Sequence, residues 1–234
     1  MSMTETRHWG EIDGVSIDFP MEVTSFNSAT LTWTVPVEPA RELIPGDGFE
    51  VADMGDGNTM LILALCDYRE NPWGDYDEVN FGILVHPKGR PEEVGAFQWR
   101  MPVNQQMTAT AGSRVLGLPK TVEELGFTYT DDRVEVDLSM GGEPTLTIGF
   151  PRTPPAGDPT ADRTLTYSYI DGEATLVPLT IELPTGMVDP AEVEIELGTS
   201  DAAEELRSLG LPRAPEMAMW GEGLRGTFEW PTPI

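Results

Sequence analysis

The feature that most constrains this chain is a series of short β-prone runs broken by turn residues. LTWTVPV (31–37), TMLILALCDY (59–68), EVNFGILVHP (78–87) and FTYTDDRVEVDLSM (127–140) are rich in Val, Ile, Thr, Tyr and Phe. PTLTIGFP (144–151), TLTYSYIDGEATLVPLTIEL (164–183), VEIEL (193–197) and GTFEW (226–230) continue the series. Several alternate apolar with polar residues, the period of a strand with one buried face. Gly55-Asp56-Gly57, Gly141-Gly142 and Asp171-Gly172 punctuate them, and the last pair predicts a hairpin. Helix is scarce. Pro39–Ile44 is a short candidate, and SDAAEELRSLG (200–210) is a better one, with Ser200 or Asp201 as cap and Gly210 past its end. TVEEL (121–125) reads as a single helical turn, and the Pro-rich stretch 152–163 as a surface loop. The fold class that follows is mainly β with a few short helices. A closed or nearly closed antiparallel barrel is the economical way to hide so many edges, as one domain over residues 1–234.

Composition removes several function classes. The formal charge of -26 opposes binding to nucleic acid or to anionic membranes. No apolar run approaches the roughly 20 residues that span a bilayer, and MSMTETRHWGEID lacks the basic start and apolar core of a signal peptide. A soluble, cytoplasmic protein is expected. The single cysteine, Cys66, has no partner for an internal disulfide and lies in an apolar run. The two histidines, His8 and His86, are far apart in sequence, and no His or Cys pair has metal-ligand spacing. Nucleotide-binding glycine motifs and the Gly-x-Ser-x-Gly elbow are also missing.

What remains is an amine. The chain holds twelve arginines and two lysines, Lys88 and Lys120. Lys88 sits in a polar Pro/Gly turn. Lys120 follows the apolar run VLGLP, where an ammonium gains nothing from its neighbours. A lysine can do what an arginine cannot: desolvation favours the neutral amine, which attacks a carbonyl to form a Schiff base. The opposing reading is a stem lying on apolar surface with its ammonium in water.

The segment QMTATAGSRVLGLPKTVEELG (106–126) resembles the signature of the acetoacetate decarboxylase superfamily, in which a Gly-Arg-Glu-like triplet, an apolar spacer and Pro-Lys deliver the Schiff-base lysine. The strand and short helix of SATLTWTVPVEPARELIP are similar to the family's, as is Tyr76-Asp77-Glu78 to its Tyr-x-Glu. The resemblance covers about residues 20 to 130. It implies a cone-shaped antiparallel β-barrel wrapped by additional antiparallel strands, with Lys120 inside as nucleophile and Glu78 as its proton-transfer partner. It further implies a lyase acting on a keto acid, with no cofactor because the imine is itself the electron sink, and a homo-oligomer. Tyr76 and Arg114 become candidate substrate-binding residues, Arg114 through a bidentate pair with a carboxylate. The departures concern the pocket. Thr121 stands where the decarboxylases carry a second lysine, and Gly112-Ser113-Arg114 replaces Gly-Arg-Glu. Alignment of the early strands puts Phe26 in place of a pocket arginine and Leu61 in place of a second glutamate. Such a pocket suits a larger, greasier substrate than acetoacetate, with Trp33, Trp73, Trp99 and Met101 as further lining candidates. The reaction is then decarboxylation of a β-keto acid or a related aldol or dehydratase step. The alternative is a barrel that binds a small apolar or carboxylated ligand without turnover.

Overall fold

The structure, a computed structural model, describes residues 6–234, so the first five residues of the N-terminal stretch lie outside it. The chain opens with a hairpin, β1 (Arg7–Ile12) and β2 (Val15–Phe19), and then the long strand β3 (Met21–Pro36). Helix α1 (Val37–Glu42) and the short β4 (Phe49–Val51) lead to β5 (Asn58–Glu70), β6 (Tyr76–Pro87) and β7 (Gly95–Val103). Helix α2 (Gln106–Leu116) follows, then β8 (Lys120–Val122), β9 (Glu124–Tyr129), β10 (Arg133–Met140) and β11 (Glu143–Pro151). The remainder is β12 (Ala161–Ile170), β13 (Glu173–Glu182), β14 (Gly186–Val188), β15 (Glu194–Leu197), helix α3 (Asp201–Ser208), β16 (Met217–Phe228) and β17 (Thr232–Pro233).

Seven strands close into a barrel in the order β16, β3, β5, β6, β7, β12, β13, with β13 pairing back onto β16. All of these pairs are antiparallel except β7 with β12. A second, four-stranded sheet in the order β15, β11, β10, β9 lies outside the barrel. The fold is thus mainly β, a closed barrel with extra strands bonded outside it, as expected.

Strand alternation decides what each face does. Leu61, Leu63 and Leu65 of β5 and Val79, Phe81 and Ile83 of β6 point outward and are fully buried. They pack in one cluster with Val134, Val136, Ile148 and Phe150 of the outer sheet and with Leu206 of α3. The largest core therefore sits between barrel wall and outer sheet, and part of the barrel interior remains open as a cavity. A second cluster, including Phe26, Tyr68, Met101 and Val115, closes one end of the barrel with the β1–β2 hairpin and α2.

The expected strands are present, with three refinements. The run 127–140 is a hairpin, β9 to β10, turning at Asp131-Asp132. The tail 217–228 closes the barrel as β16. Segment 121–125 is not a helical turn: Thr121 and Val122 extend β8 alongside β7, and Glu124 begins β9. Ser200 caps α3 as expected, its Oγ accepting from Ala203 N at 3.2 Å. Helix α2, β7 and the β1–β2 hairpin were not foreseen from the sequence. No helix among the described residues is long and apolar enough to cross a membrane.

Candidate active site

Lys120 reaches the barrel interior by a tight path. After β7, the Gln105 side chain caps α2 by accepting from Thr108 N at 3.1 Å. The helix ends at Gly117, which adopts φ +63° and lies so close to β12 that a Cβ there would come within 2.2 Å of the Tyr169 carbonyl oxygen. Leu118 N then donates to Gly112 O at 3.1 Å, and Lys120 N donates to Leu118 O at 2.8 Å. This loop sets Lys120 on β8, paired in parallel with Met101 of β7. The lysine stem crosses α2 over Gly112. A Cβ at Gly112 would lie 2.5 Å from Lys120 Cδ and 2.8 Å from Cε, so only glycine leaves the stem its present course.

The amine is withdrawn from solvent. The Lys120 side chain is 4% exposed and that of Glu78 is 5%. Lys120 Nζ lies 2.6 Å from Glu78 Oε2, donates to Thr108 Oγ1 at 3.3 Å, and sits 5.0 Å above the centre of the Tyr76 ring. Glu78 Oε1 accepts from Asn80 Nδ2 at 3.1 Å. Glu78 Oε2 accepts no well-aligned hydrogen bond, so the ammonium is its one compensating partner among the described residues. Breaking such a pair by removing one member leaves a bare buried charge, at a cost of about 3–5 kcal/mol.

Burial favours the neutral forms of the phenols and the thiol around the pair. Tyr76 stacks on Tyr68 at 4.5 Å between centroids, and Tyr68 on Phe26 at 5.5 Å. Burial, and then the negative charge of Glu78, push both tyrosine hydroxyls well above their ordinary value. The same two causes push the Cys66 thiol up to about 12, which favours S–H over the nucleophilic thiolate. Asp77 faces the opposite side of β6. Burial, reinforced by Asp67, pushes its carboxyl up to about 6.

The pair stands in a cavity of about 350 Å³, at the small end of the roughly 300–1,000 Å³ typical of ligand sites. Its walls are the inward residues of the barrel: Phe26 and Ser28 on β3, Ile62, Ala64 and Cys66 on β5, Glu78 and Asn80 on β6. A bulge in β7 at Trp99 lets Gln98 and Met101, three residues apart, both face inward. No group of three or more His, Cys, Asp or Glu able to hold a metal occurs among the described residues.

Of the six residues singled out from the sequence, the structure brings four together. Lys120, Glu78 and Phe26 line the cavity, and Tyr76 lies beneath the amine. Arg114 and Leu61 do not join them. Arg114 is exposed on α2, its guanidinium 5.6 Å from the Trp9 ring. Leu61 belongs to the outer core, and it is Ile62, one residue on, that faces the cavity. Met101 lines the cavity as expected, whereas Trp33 and Trp99 pack with the outer core and Trp73 with the cluster at the barrel's end. Sequence reasoning missed Asn80, Gln98 and Thr108. The period of two from Glu78 would have found Asn80, and the helical step from Gly112 would have found Thr108.

Several solved structures are similar in fold, among them three enzymes. Acetoacetate decarboxylase from Legionella pneumophila shares 12% identity with a TM-score of 0.68, over 92% of this chain and 87% of that one. An acetoacetate decarboxylase-like enzyme from Sphingomonas wittichii RW1 shares 15% at 0.56, over 93% and 94%. The enduracididine biosynthesis enzyme MppR complexed with pyruvate shares 13% at 0.53, over 90% and 87%. Comparison with curated protein sequences gives no match. The family model for acetoacetate decarboxylase (ADC) matches residues 7–230, nearly the full length, and the chain belongs to the acetoacetate decarboxylase family.

Proposed function

We propose that this protein is a lyase that forms an imine between Lys120 and the ketone carbon of a keto acid. The observation that carries the reading is the Lys120 amine, buried 2.6 Å from Glu78 at the closed end of a mainly apolar cavity. The family's name and the pyruvate complex of MppR support the keto-acid class.

The geometry supports a specific division of labour. Glu78 takes a proton from the ammonium, and the freed amine adds to the substrate carbonyl. Loss of water gives a protonated imine, which draws in the electron pair of an adjacent bond. With a β-keto acid, that bond is to the carboxylate, carbon dioxide leaves, and an enamine remains. Protonation of the enamine carbon and addition of water release the ketone and restore Lys120. Glu78 holds the travelling proton, and Thr108 orients Nζ through the 3.3 Å contact. The neutral thiol and phenols nearby offer no competing nucleophile.

Borohydride reduction in the presence of acetoacetate, pyruvate or longer keto acids, followed by peptide mass analysis, tests this reading. The Lys120 peptide gains the mass of the reduced adduct, and Lys120→Ala and Lys120→Arg abolish it. Absence of adduct on Lys120 with every keto acid overturns the proposal. Glu78→Gln is expected to slow turnover by about 10²–10⁴-fold, the usual contribution of a positioned acid–base group.

A further inference from the structure

Beyond Lys120 the cavity is long and carries no second positive charge. Glu78, Asn80, Gly82 and Leu84 alternate along the inner face of β6, and Gly82 lies level with Ile62 on β5 and Gln98 on β7. At about 3.3 Å per residue, Gly82, beside Gln98, stands roughly 13 Å along the tilted strand from Glu78. Ile62, Ala64, Leu179 and Ile181 are only half-buried, whereas Leu61, Leu63 and Leu65, on the reverse face of the same wall, are fully covered. Uncovered apolar surface inside a barrel is stabilised by an apolar ligand laid against it.

The charges point the same way. Among the described residues lining the cavity, Lys120 is the sole cation, and the carboxylates are Glu78 beside it and Glu182 near the exposed Leu183. At the Gln98 level the polar group is a neutral amide. Gln98 Oε1 is buried without a hydrogen-bond partner, over Gly82, where a Cβ would approach it to 2.9 Å. A half-turn of that amide exchanges oxygen for nitrogen, so it serves a neutral donor or acceptor on a ligand but not a carboxylate that needs a counter-charge.

We infer that the substrate is a 3-oxo acid with a long uncharged tail, and that Gln98 is the specificity-determining residue at the tail's level. The inference rests on the imine reading of Lys120. Once Glu78 holds the proton taken from the amine, the protonated imine is the one cation left to face a carboxylate, and that carboxylate belongs at the carbonyl end. The tail runs along Ile62 and Ala64 past Asn80 toward Gln98. A second carboxylate on the tail would enter a low-dielectric space that offers it no counter-charge and holds Glu182.

Borohydride trapping with freshly prepared acetoacetate, 3-oxodecanoate and 3-oxodecanedioate decides it, read as the concentration that half-saturates adduct formation on Lys120. 3-Oxodecanoate is expected to half-saturate at least about tenfold below acetoacetate, from the methylenes it buries. The dicarboxylate is expected at least about tenfold above 3-oxodecanoate, from its unpaired far charge. Gln98→Arg, or Ile62→Lys on the other side of Gly82 should the first not fold, supplies the missing cation and closes most of the second gap. Equal or better trapping of acetoacetate, a dicarboxylate as good as 3-oxodecanoate, or a gap that neither cation narrows overturns the inference while leaving the imine intact. Adduct with no substrate overturns both readings.

Discussion

Gly112 and Lys120 fit each other because one lacks a side chain where the other's stem must pass. Gly112→Ala would place a methyl inside that path and push the stem, and with it Nζ, away from Glu78. Displacements of about 1 Å at a reacting group cost on the order of 10²-fold. Imine formation by Gly112→Ala is expected to slow by about that factor, measured as the rate of borohydride-trapped adduct, and a variant that traps at the parent rate would contradict this account. At this scale the sequence was partly legible. Lys120 stood out because lysine is nearly absent from the chain and an apolar run precedes it. Glu78 was visible through its resemblance to a Tyr-x-Glu motif. Arg114 was misplaced because closeness in sequence is not closeness in space. It lies two residues, about 200° of helical rotation, beyond Gly112, and so points away from Lys120. Leu61 was misplaced by one step of strand alternation, which exchanges inside for outside.

Helix α2 is the element that delivers the site, and it was the one least visible beforehand. Its buried positions, Thr108, Ala109, Ala111, Gly112, Val115 and Leu116, do follow a helical period. They are mostly small residues, its cap is a glutamine, and Thr and Gly are weak helix formers, so neither hydrophobicity nor propensity marked it. Its end is sharply determined. Gly117→Ala would impose a side chain on a left-handed residue and drive it into the Tyr169 carbonyl, with an expected loss of at least about 2 kcal/mol. Urea unfolding should show a lower midpoint with an unchanged slope; an unaltered midpoint would mean that β12 can give way. Strand β7 escaped notice because the bulge at Trp99 breaks its alternation. Strand β8 escaped because three residues are too few to show a period. Strands β6 and β10 were legible because one strongly apolar face writes a period of two into the residues, β5 as an unbroken apolar run, and β13 through the Asp171-Gly172 turn before it.

The whole molecule keeps its main core outside the barrel and its cavity inside, so stability and binding depend on opposite faces of the same strands. Its surface carries the balance of a formal charge of -26. Self-repulsion of that size opposes compactness at low ionic strength and is screened as salt rises. The melting temperature is therefore expected to climb between about 0.05 and 1 M NaCl, since the Debye length falls from beyond 10 Å to about 3 Å. A melting temperature independent of salt would place the acidic groups in locally paired networks. The chain also contains one sulfhydryl, that of Cys66, and it faces the cavity in the same cluster as Glu78 with its proton firmly attached. Its S–H stretch falls in a spectral window where other protein groups absorb little. The native protein therefore carries a built-in infrared probe, and a change in charge at Lys120 can be followed as a shift of one band without any label.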